Sequence, residues 1–351
     1  MTAAVKEPGA GGSKLNLLGF DRTEYKGKPS TLCSGCGHDS VASQIIAVAW
    51  ELSLQPHRVI KTSGIGCSSK SPAYFLNRSH GFNSLHGRMP SLTTGAVLAN
   101  KELLAIGVSG DGDTGSIGLG QYKHLLRRNV PMVYIIENNG VYGLTKGQFS
   151  ATADEGQKLK YAGVNELPPI DLCLEAIASG CGFVARSFAG DAKQVRELLK
   201  AALSYKGGTA VLDIISPCIT FNNHEESTKS YSYGKANEER LHDISFIEPQ
   251  GEIVVDYEEG TAREVRMHDG STIVLRKLSE DYNPQDRNAA ISKLEESQAN
   301  QEFITGLLYI NEGRKRIHEA LHIVDTPLAH LNEAQLRPPR EALDKIMADM
   351  N

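Results

Sequence analysis

The chain has little cysteine, six residues in 351, which is too few for a disulfide framework, although two of the six stand in a CxxC. It has no apolar run near the ~20 residues needed to cross a bilayer, which excludes a helical membrane span. Its first residues, Met1 to Lys14, are rich in Ala, Gly and Ser and hold no apolar stretch ahead of a small-residue cleavage site, so they read as a flexible tail and not a secretory signal. Cytoplasmic residence is the expectation, and thiols there stay reduced. An excess of positive charge is also missing: 37 Lys and Arg face 42 Asp and Glu, for a net charge of −5. Short basic runs such as Lys123, Arg127 and Arg128 fall at helical spacing and cannot grip a phosphate backbone, so nucleic acid is excluded as a partner. There is no internal repeat and no low-complexity tract.

What is present is alternation. Residues 39–54 carry apolar side chains at helical spacing, Arg58 to Lys61 starts a strand, and Ser63-Gly64-Ile65-Gly66 is a turn. A small-residue helix follows over 92–100, then a buried strand LLAIGV (103–108), a helix over 115–128 and a second buried strand MVYII (132–136). Helices over 171–180 and 191–205 flank strands at 183–185 and 209–215. The pattern predicts an α/β fold with a doubly wound, mostly parallel sheet and ligands at the carboxyl ends of its strands. After residue 219 the texture changes. A polar loop over 221–240 is expected, then a hairpin within 252–277 turning at His268-Asp269-Gly270-Ser271, then a charged helical stretch over 286–351. The division expected is a flexible tail (1–29), a ligand-binding domain (30–218) and a C-terminal hairpin and helical arm or subdomain (219–351) at a subunit interface.

The strongest local pattern follows the LLAIGV strand: Gly110-Asp111-Gly112-Asp113, then, with 26 residues between Gly112 and it, Asn139 at the end of the next strand. It resembles the pattern of thiamine diphosphate enzymes. A diphosphate needs a glycine-rich turn whose N–H groups reach it at a helix N-terminus, and a divalent cation to offset its charge. Asp111 offers a hard anionic oxygen for Mg²⁺ and Asn139 a neutral one, with the Val141 carbonyl the candidate for a backbone ligand. A lone Gly-Asp-Gly turn would mean no more than helix capping. The correctly spaced asparagine turns the reading toward a cofactor.

The cysteines divide. Cys173 and Cys181 fall on or beside an apolar helical face, as small core residues do. Cys33, Cys36, Cys67 and Cys218 fall at loops and caps where thiolates can converge. Four thiolates suit Zn²⁺ or an iron–sulfur cluster. One close pair with two distant singles favours a 4Fe-4S cluster, and zinc stays open at this point.

Both patterns meet in one resemblance. GDGD (110–113), NNGVYGLTKGQ (138–148), CSGCGH (33–38), GIGCSS (64–69), HGR (86–88) and Ser216-Pro217-Cys218 together resemble the beta subunit of 2-oxoacid:ferredoxin oxidoreductases, over about residues 30–235. The resemblance implies a sheet of the thiamine diphosphate-binding type and one 4Fe-4S cluster on Cys33, Cys36, Cys67 and Cys218. It also implies Mg²⁺ on Asp111, Asn139 and the Val141 carbonyl. Ile65, Gly66, Cys67, Ser68, Gly112, Asp113, Gly143 and Leu144 would line the cofactor, with His86 beside it. His38 stands where some members carry an acidic residue, and its part is open between a cofactor role and capping of the first helix.

The activity implied is oxidative decarboxylation of a 2-oxoacid with coenzyme A, electrons passing singly through the cluster to a separate ferredoxin, or the same reaction in reverse. No glutamate lies in a motif context that would activate the aminopyrimidine, so that carboxylate is expected from an alpha subunit in an α2β2 assembly. The chain also lacks the CxxCxxCxxxC run of a built-in ferredoxin. Lys70, three residues after Cys67, is the candidate to pair with the distal carboxylate of 2-oxoglutarate, against the alternative of a solvated loop lysine. The segment from Thr220-Phe221-Asn222 to Tyr231 looks most like the 2-oxoglutarate class, with pyruvate or another 2-oxoacid as the alternative. A zinc-stabilised, non-redox subunit and a non-oxidative thiamine decarboxylase or carboligase are the rival readings.

Overall fold

Strand residues that are apolar on both sides must be covered on both sides, and the chain does this with helices drawn from alternating stretches of sequence. The computed structural model describes residues 15–159, 162–222, 228–230, 238–240, 262–266, 272–276, 282–300 and 303–350. In chain order the elements that position the site are α1 (Gly37–Glu51), β1 (Val59–Ser63), β2 (His80–Asn83), α2 (Met89–Ala99), β3 (Leu104–Gly110), α3 (Leu119–Arg128), β4 (Met132–Asn138), α4 (Leu172–Ala178) and α5 (Ala192–Ser204). Strands Phe183–Phe188 and Thr209–Ile215 bracket α5.

Among the described residues one eight-stranded sheet runs Glu238–Arg240, Phe303–Ile310, Phe183–Phe188, Thr209–Ile215, β4, β3, β1, β2. Every adjacent pair is parallel except Phe303–Ile310 with Phe183–Phe188. β4 shows why the sheet needs two covers. Val133 and Ile135 face one core with Val41, Ile45 and Val48 of α1 and Leu198 and Leu199 of α5. Met132, Tyr134 and Ile136 face the other with Val97 of α2, Leu125 and Leu126 of α3 and Ile177 of α4. Each such buried side chain contributes about 1.5–3 kcal/mol. The doubly wound sheet expected from the alternation is therefore present. The carboxyl ends of β1, β3, β4 and Thr209–Ile215 lie side by side at one edge, the position where open α/β sheets bind ligands.

The structure differs from the sequence expectation in four places. β2, a four-residue edge strand, has no apolar run to announce it and pairs parallel to β1. The helix expected from 115 begins instead as a π-helical turn, Gly112–Ile117, before α3. Phe303–Ile310, inside the stretch expected to be helical, is a strand of the main sheet; its run of Phe, Ile, Leu and Tyr fits a covered strand better than a charged helix. Residues from Asn16 on, assigned to the tail, lie against α1: Asn16 Nδ2 donates to the Tyr25 hydroxyl and to Trp50 O, and Tyr25 is fully buried. Ala262–Arg266 and Thr272–Arg276 pair antiparallel. The turn at 268–271, most of the polar loop over 221–240, and residues 223–227 and 231 of the segment used for substrate class lie outside the described residues.

Deep in the sheet, Arg186 bridges two acids. Its Nη2 lies 2.8 Å from Asp171 Oδ1 and its Nε 3.0 Å from Asp213 Oδ2. Burial alone would raise the Asp171 carboxyl, but the guanidinium and the N–H donors of α4 hold it below its ordinary 3.8. Arg186→Met keeps the volume and strands two buried carboxylates. It is expected to lower the unfolding free energy by about 3–5 kcal/mol, read from the urea midpoint at unchanged slope. Because the folded value of Asp171 is depressed, its contribution is complete above its ordinary value and is lost as the pH falls through the folded one. The stability gap between wild type and Asp171→Asn should therefore close as the pH drops below about 4, measured by urea titrations across that range.

Candidate functional site

Two carboxylates that a chain would rather keep in water stand fully buried at the sheet edge, and their hydrogen bonds draw the loops together. Asp113 is 3% exposed. Its Oδ1 accepts from the Ile65 and Gly87 backbone N–H groups at 3.2 and 2.7 Å and from His86 Nδ1 at 2.5 Å, and its Oδ2 accepts from Ser109 Oγ at 2.7 Å. The loop after β1, the loop before α2 and the turn after β3 are thus held by one side chain. Gly64 has to be glycine here, since a Cβ on it would lie 1.6 Å from Asp113 Oδ2.

Asp111 does the same between β3 and β4. Its Oδ1 accepts from Asn139 N at 3.2 Å. Its Oδ2 accepts from Gly140 N at 3.1 Å, from Thr152 Oγ1 at 2.7 Å and from Ser150 Oγ. Gly140 takes φ +71°, a left-handed turn that glycine adopts without strain. Burial raises the Asp111 carboxyl above its ordinary value; the groups that oppose this are hydrogen-bond donors, none of them a cation. A divalent cation would supply the missing counter-charge, so the donor set fits Mg²⁺ with oxygens from Asp111 and Asn139. Asn139 Oδ1 accepts from Val141 N at 3.1 Å, which fixes the turn presenting the Val141 carbonyl.

A cleft opens above these groups. Asp111, Asn139 and Val141 line it, together with Ile65, Gly66, Cys67, Ser68, His86, Gly112, Asp113, Gly143 and Leu144. The structure thus brings every residue named for the thiamine and the magnesium to one cavity. Tyr142 closes over Gly112: its hydroxyl donates to Gly112 O at 2.9 Å, and a Cβ on Gly112 would lie 2.6 Å from the ring. Lys70, on the 3-10 turn Ser68–Ala73, is not among the lining residues, but its charge acts on Cys67, lowering that thiol's pKa against the effect of burial.

The cysteines divide as the sequence suggests. Cys173 and Cys181 are fully buried in the core, whereas Cys33 is exposed and Cys36, Cys67 and Cys218 are partly so. Cys67 and Cys218 converge on Gly143, whose missing Cβ would lie 3.5 Å from one sulfur and 3.7 Å from the other. Thr220 Oγ1 lies 3.7 Å from Cys33 Sγ. All six thiols are free. Burial pushes Cys36 up to about 12 and raises Cys67 and Cys218; charge on Cys218 would raise Cys36 and Cys67 further, and charge on Cys33 would raise Cys67 and Cys218. Bound iron, being cationic, would reverse those shifts.

The sequence reading passed over Glu137. It is fully buried at the end of an otherwise apolar strand, it lines the cleft, and its two carboxyl oxygens accept from Ser71 Oγ at 3.0 and 2.9 Å. Burial raises its carboxyl well above the ordinary range and lowers the neighbouring His38 imidazole to about 4, so burial favours the uncharged form of each. His38 caps no helix: the N-cap of α1 is Cys36, and His38 Nδ1 instead lies 2.6 Å from Ser216 Oγ. The signal for Glu137 was a carboxylate ending a strand of consecutive apolar residues.

Residues 64–214 match the family model described as thiamine pyrophosphate enzyme, C-terminal TPP binding domain. A 2-oxoacid:ferredoxin oxidoreductase subunit beta from a Sulfolobus species is 43% identical over 195 residues, 54% of this chain and 63% of that one. The 2-oxoglutarate synthase subunit KorB of Methanocaldococcus jannaschii is 34% identical over 235 residues, 65% of this chain and 86% of that one. The solved structure of 2-oxoglutarate:ferredoxin oxidoreductase from Magnetococcus marinus, with 2-oxoglutarate, coenzyme A and succinyl-CoA bound, superposes with a TM-score of 0.72 at 27% identity, covering 95% of this chain and 96% of that one. The chain spans about six tenths of the length of the first curated relatives it matches.

Gly64→Ala tests the Asp113 tie. The new Cβ must expel the carboxylate that positions Ile65, His86 and Gly87. Calorimetric titration of the variant with thiamine diphosphate and Mg²⁺ should show affinity lowered on the order of a hundredfold, the scale of losing about 3 kcal/mol of hydrogen bonding.

Proposed function

Because the chain belongs to the family of 2-oxoacid:ferredoxin oxidoreductase beta subunits, we propose that it is the thiamine diphosphate-carrying beta subunit of a 2-oxoglutarate:ferredoxin oxidoreductase. The observation that carries this reading is a cleft at the sheet's carboxyl edge that joins a buried carboxylate lacking a cation, Asp111, to the four-cysteine region at Cys67. The names of the relatives and the bound 2-oxoglutarate, coenzyme A and succinyl-CoA of the Magnetococcus protein support this substrate pair. The reaction is oxidative decarboxylation of 2-oxoglutarate to succinyl-CoA and CO₂, with electrons leaving to ferredoxin, or its reverse.

When bound, thiamine diphosphate supplies the nucleophilic carbon and electron sink for decarboxylation, and a 4Fe-4S cluster supplies a one-electron acceptor beside it. Asp111, Asn139 and the Val141 carbonyl hold the Mg²⁺ that neutralises the diphosphate. The N–H groups at the start of the Gly112–Ile117 turn would serve as donors to the phosphates. Asp113 fixes His86 through Nδ1, which leaves Nε2 as the atom able to exchange a proton with a ligand in the cleft. Cys33, Cys36, Cys67 and Cys218 ligate the cluster, and Gly143 leaves room for it between Cys67 and Cys218.

An alpha subunit completes the site. Ile65, Leu85, Ile117 and Leu144 are exposed apolar side chains on loops around the cleft, Leu85 at 79%, and they suit a covering partner better than water. The partner contributes the carboxylate for the aminopyrimidine, and the assembly is α2β2. No helix among the described residues is long and apolar enough to cross a membrane.

Anaerobic co-expression with the alpha subunit tests the whole reading. The expected product is a brown complex, absorbing broadly near about 400 nm and bleached by dithionite, that reduces viologen with 2-oxoglutarate only when coenzyme A is added. A colourless, zinc-loaded protein rejects the redox reading, and turnover without an electron acceptor points to a non-oxidative thiamine enzyme. Lys70 is the proposed contact for the distal carboxylate. Lys70→Ala should raise KM for 2-oxoglutarate about tenfold, the equivalent of about 1.4 kcal/mol, and leave pyruvate nearly unchanged. Equal effects on both substrates reject the assignment.

A further inference from the structure

A carboxyl group is expensive to bury in a sheet strand, and Glu137 is fully buried at the end of one. Its surroundings explain what holds it. Ser71 Oγ donates to both of its oxygens, and Ser71 belongs to the turn that begins directly after Cys67. His38, two residues after Cys36, brings Nδ1 to 3.6 Å from Glu137 Oε2 and to 2.6 Å from Ser216 Oγ. Ser216 in turn is two residues before Cys218. The first turn of α1 reaches this point only because residue 37 is glycine: a Cβ there would lie 2.5 Å from Ser216 Oγ, and Gly37 N donates to Pro217 O at 3.4 Å. Four side chains from four separate stretches of chain therefore meet in one buried polar node, and Ser71, His38 and Ser216 each stand within four residues of a cysteine, Cys67, Cys36 and Cys218.

We propose that Glu137 is the positioning residue of the four-cysteine site: bonded to Ser71 and packed against the His38–Ser216 pair, it fixes the chain segments carrying Cys67, Cys36 and Cys218 relative to one another. The inference rests on those cysteines holding an iron–sulfur cluster. Groups that orient metal ligands are typically worth about 10–100-fold in metal affinity. Glu137 touches no iron itself. Ser69 provides a built-in contrast, because it lies two residues from Ser71 on the same turn and its buried hydroxyl has no hydrogen-bond partner.

The test uses the anaerobically purified complex with its alpha subunit and compares Glu137→Ala, Glu137→Gln, Ser71→Ala and Ser69→Ala with wild type. Three readouts are taken: iron and sulfide content, the rate of iron release to a chelator, and the electron paramagnetic resonance spectrum of the dithionite-reduced protein. Glu137→Ala and Ser71→Ala should release iron on the order of tenfold faster, the scale of losing a group that orients a metal ligand, and should show an altered spectrum. Glu137→Gln keeps the acceptor that Ser71 reaches, so it and Ser69→Ala should match wild type. If Glu137→Ala does not fold, Ser71→Ala carries the test alone. Native iron release and spectrum in both deletion variants, even with a lowered melting temperature, overturn the positioning role and leave the cluster reading standing. A Gln variant that loses iron as fast as the Ala variant overturns the hydrogen-bonding basis. Wild-type complex without iron overturns the cluster reading and the inference with it.

Discussion

The rest of the site depends on the burial of two carboxylates, Asp111 and Asp113, two residues apart at the end of β3. A buried carboxylate is tolerated only if donors surround it, and these two obtain their donors from loops that are distant in sequence. Asp113 draws in residues 65, 86 and 87. Asp111 draws in residues 139, 140, 150 and 152. Residues 65, 86 and 139, one or more from each set, line the cleft, so its shape follows from the same bonds that make the acids bearable inside the protein. The two differ in their partners. Asp113 has the His86 ring against it, while Asp111 is met by backbone N–H and hydroxyl donors, and burial raises its carboxyl, a cost that a divalent cation would offset.

The sheet makes this possible by placing strand ends in register. β3 and β4 pair parallel from Ile106↔Val133 to Gly110↔Glu137, so the turns that follow them emerge side by side. Thr209–Ile215 pairs with β4 as far as Ile215↔Asn138, which delivers Ser216, Pro217 and Cys218 to the same edge. β1 delivers Gly64 to Cys67 from the other side of β3. The acid-and-amide turns and the cysteine-bearing loops are neighbours because they leave adjacent strands. A second line of buried bonds runs under the floor: Arg186 to Asp213, Asp213 to Asn138, Asn138 to Thr152 and Thr152 to Asp111. It links the core ion pair to Asp111 through an unbroken run of buried side-chain hydrogen bonds.

The strands with continuous apolar runs were readable because they are covered on both faces, and LLAIGV, MVYII and TAVLDII each became a strand close to its sequence limits. Phe303–Ile310 and β2 were not. One sits inside a charged neighbourhood that masks its apolar run, and the other is an exposed edge of four residues whose identity comes entirely from its pairing with β1. The site was legible as residue types: glycines where backbone approaches backbone, an acid and an amide at strand ends, thiols at caps. The part of Asp113 was not legible in that way. Its place in the motif suggested backbone contact with a cofactor, whereas its side chain turns inward to fasten His86 and the loop after β1.

By itself the sequence determined the alternating α/β plan, the four cysteines set apart from the two core ones, and the spacing of an acid and an amide across one βαβ unit. These are properties of short stretches, where local patterns of polarity and glycine restrict the backbone directly. Only the tertiary structure decided which side chains meet. His38 finds Ser216 across 178 residues and Glu137 finds Ser71 across 66. The reason is that a contact of about 3 Å between distant segments is set by the packing of whole strands and helices against one another, and no single segment carries that information.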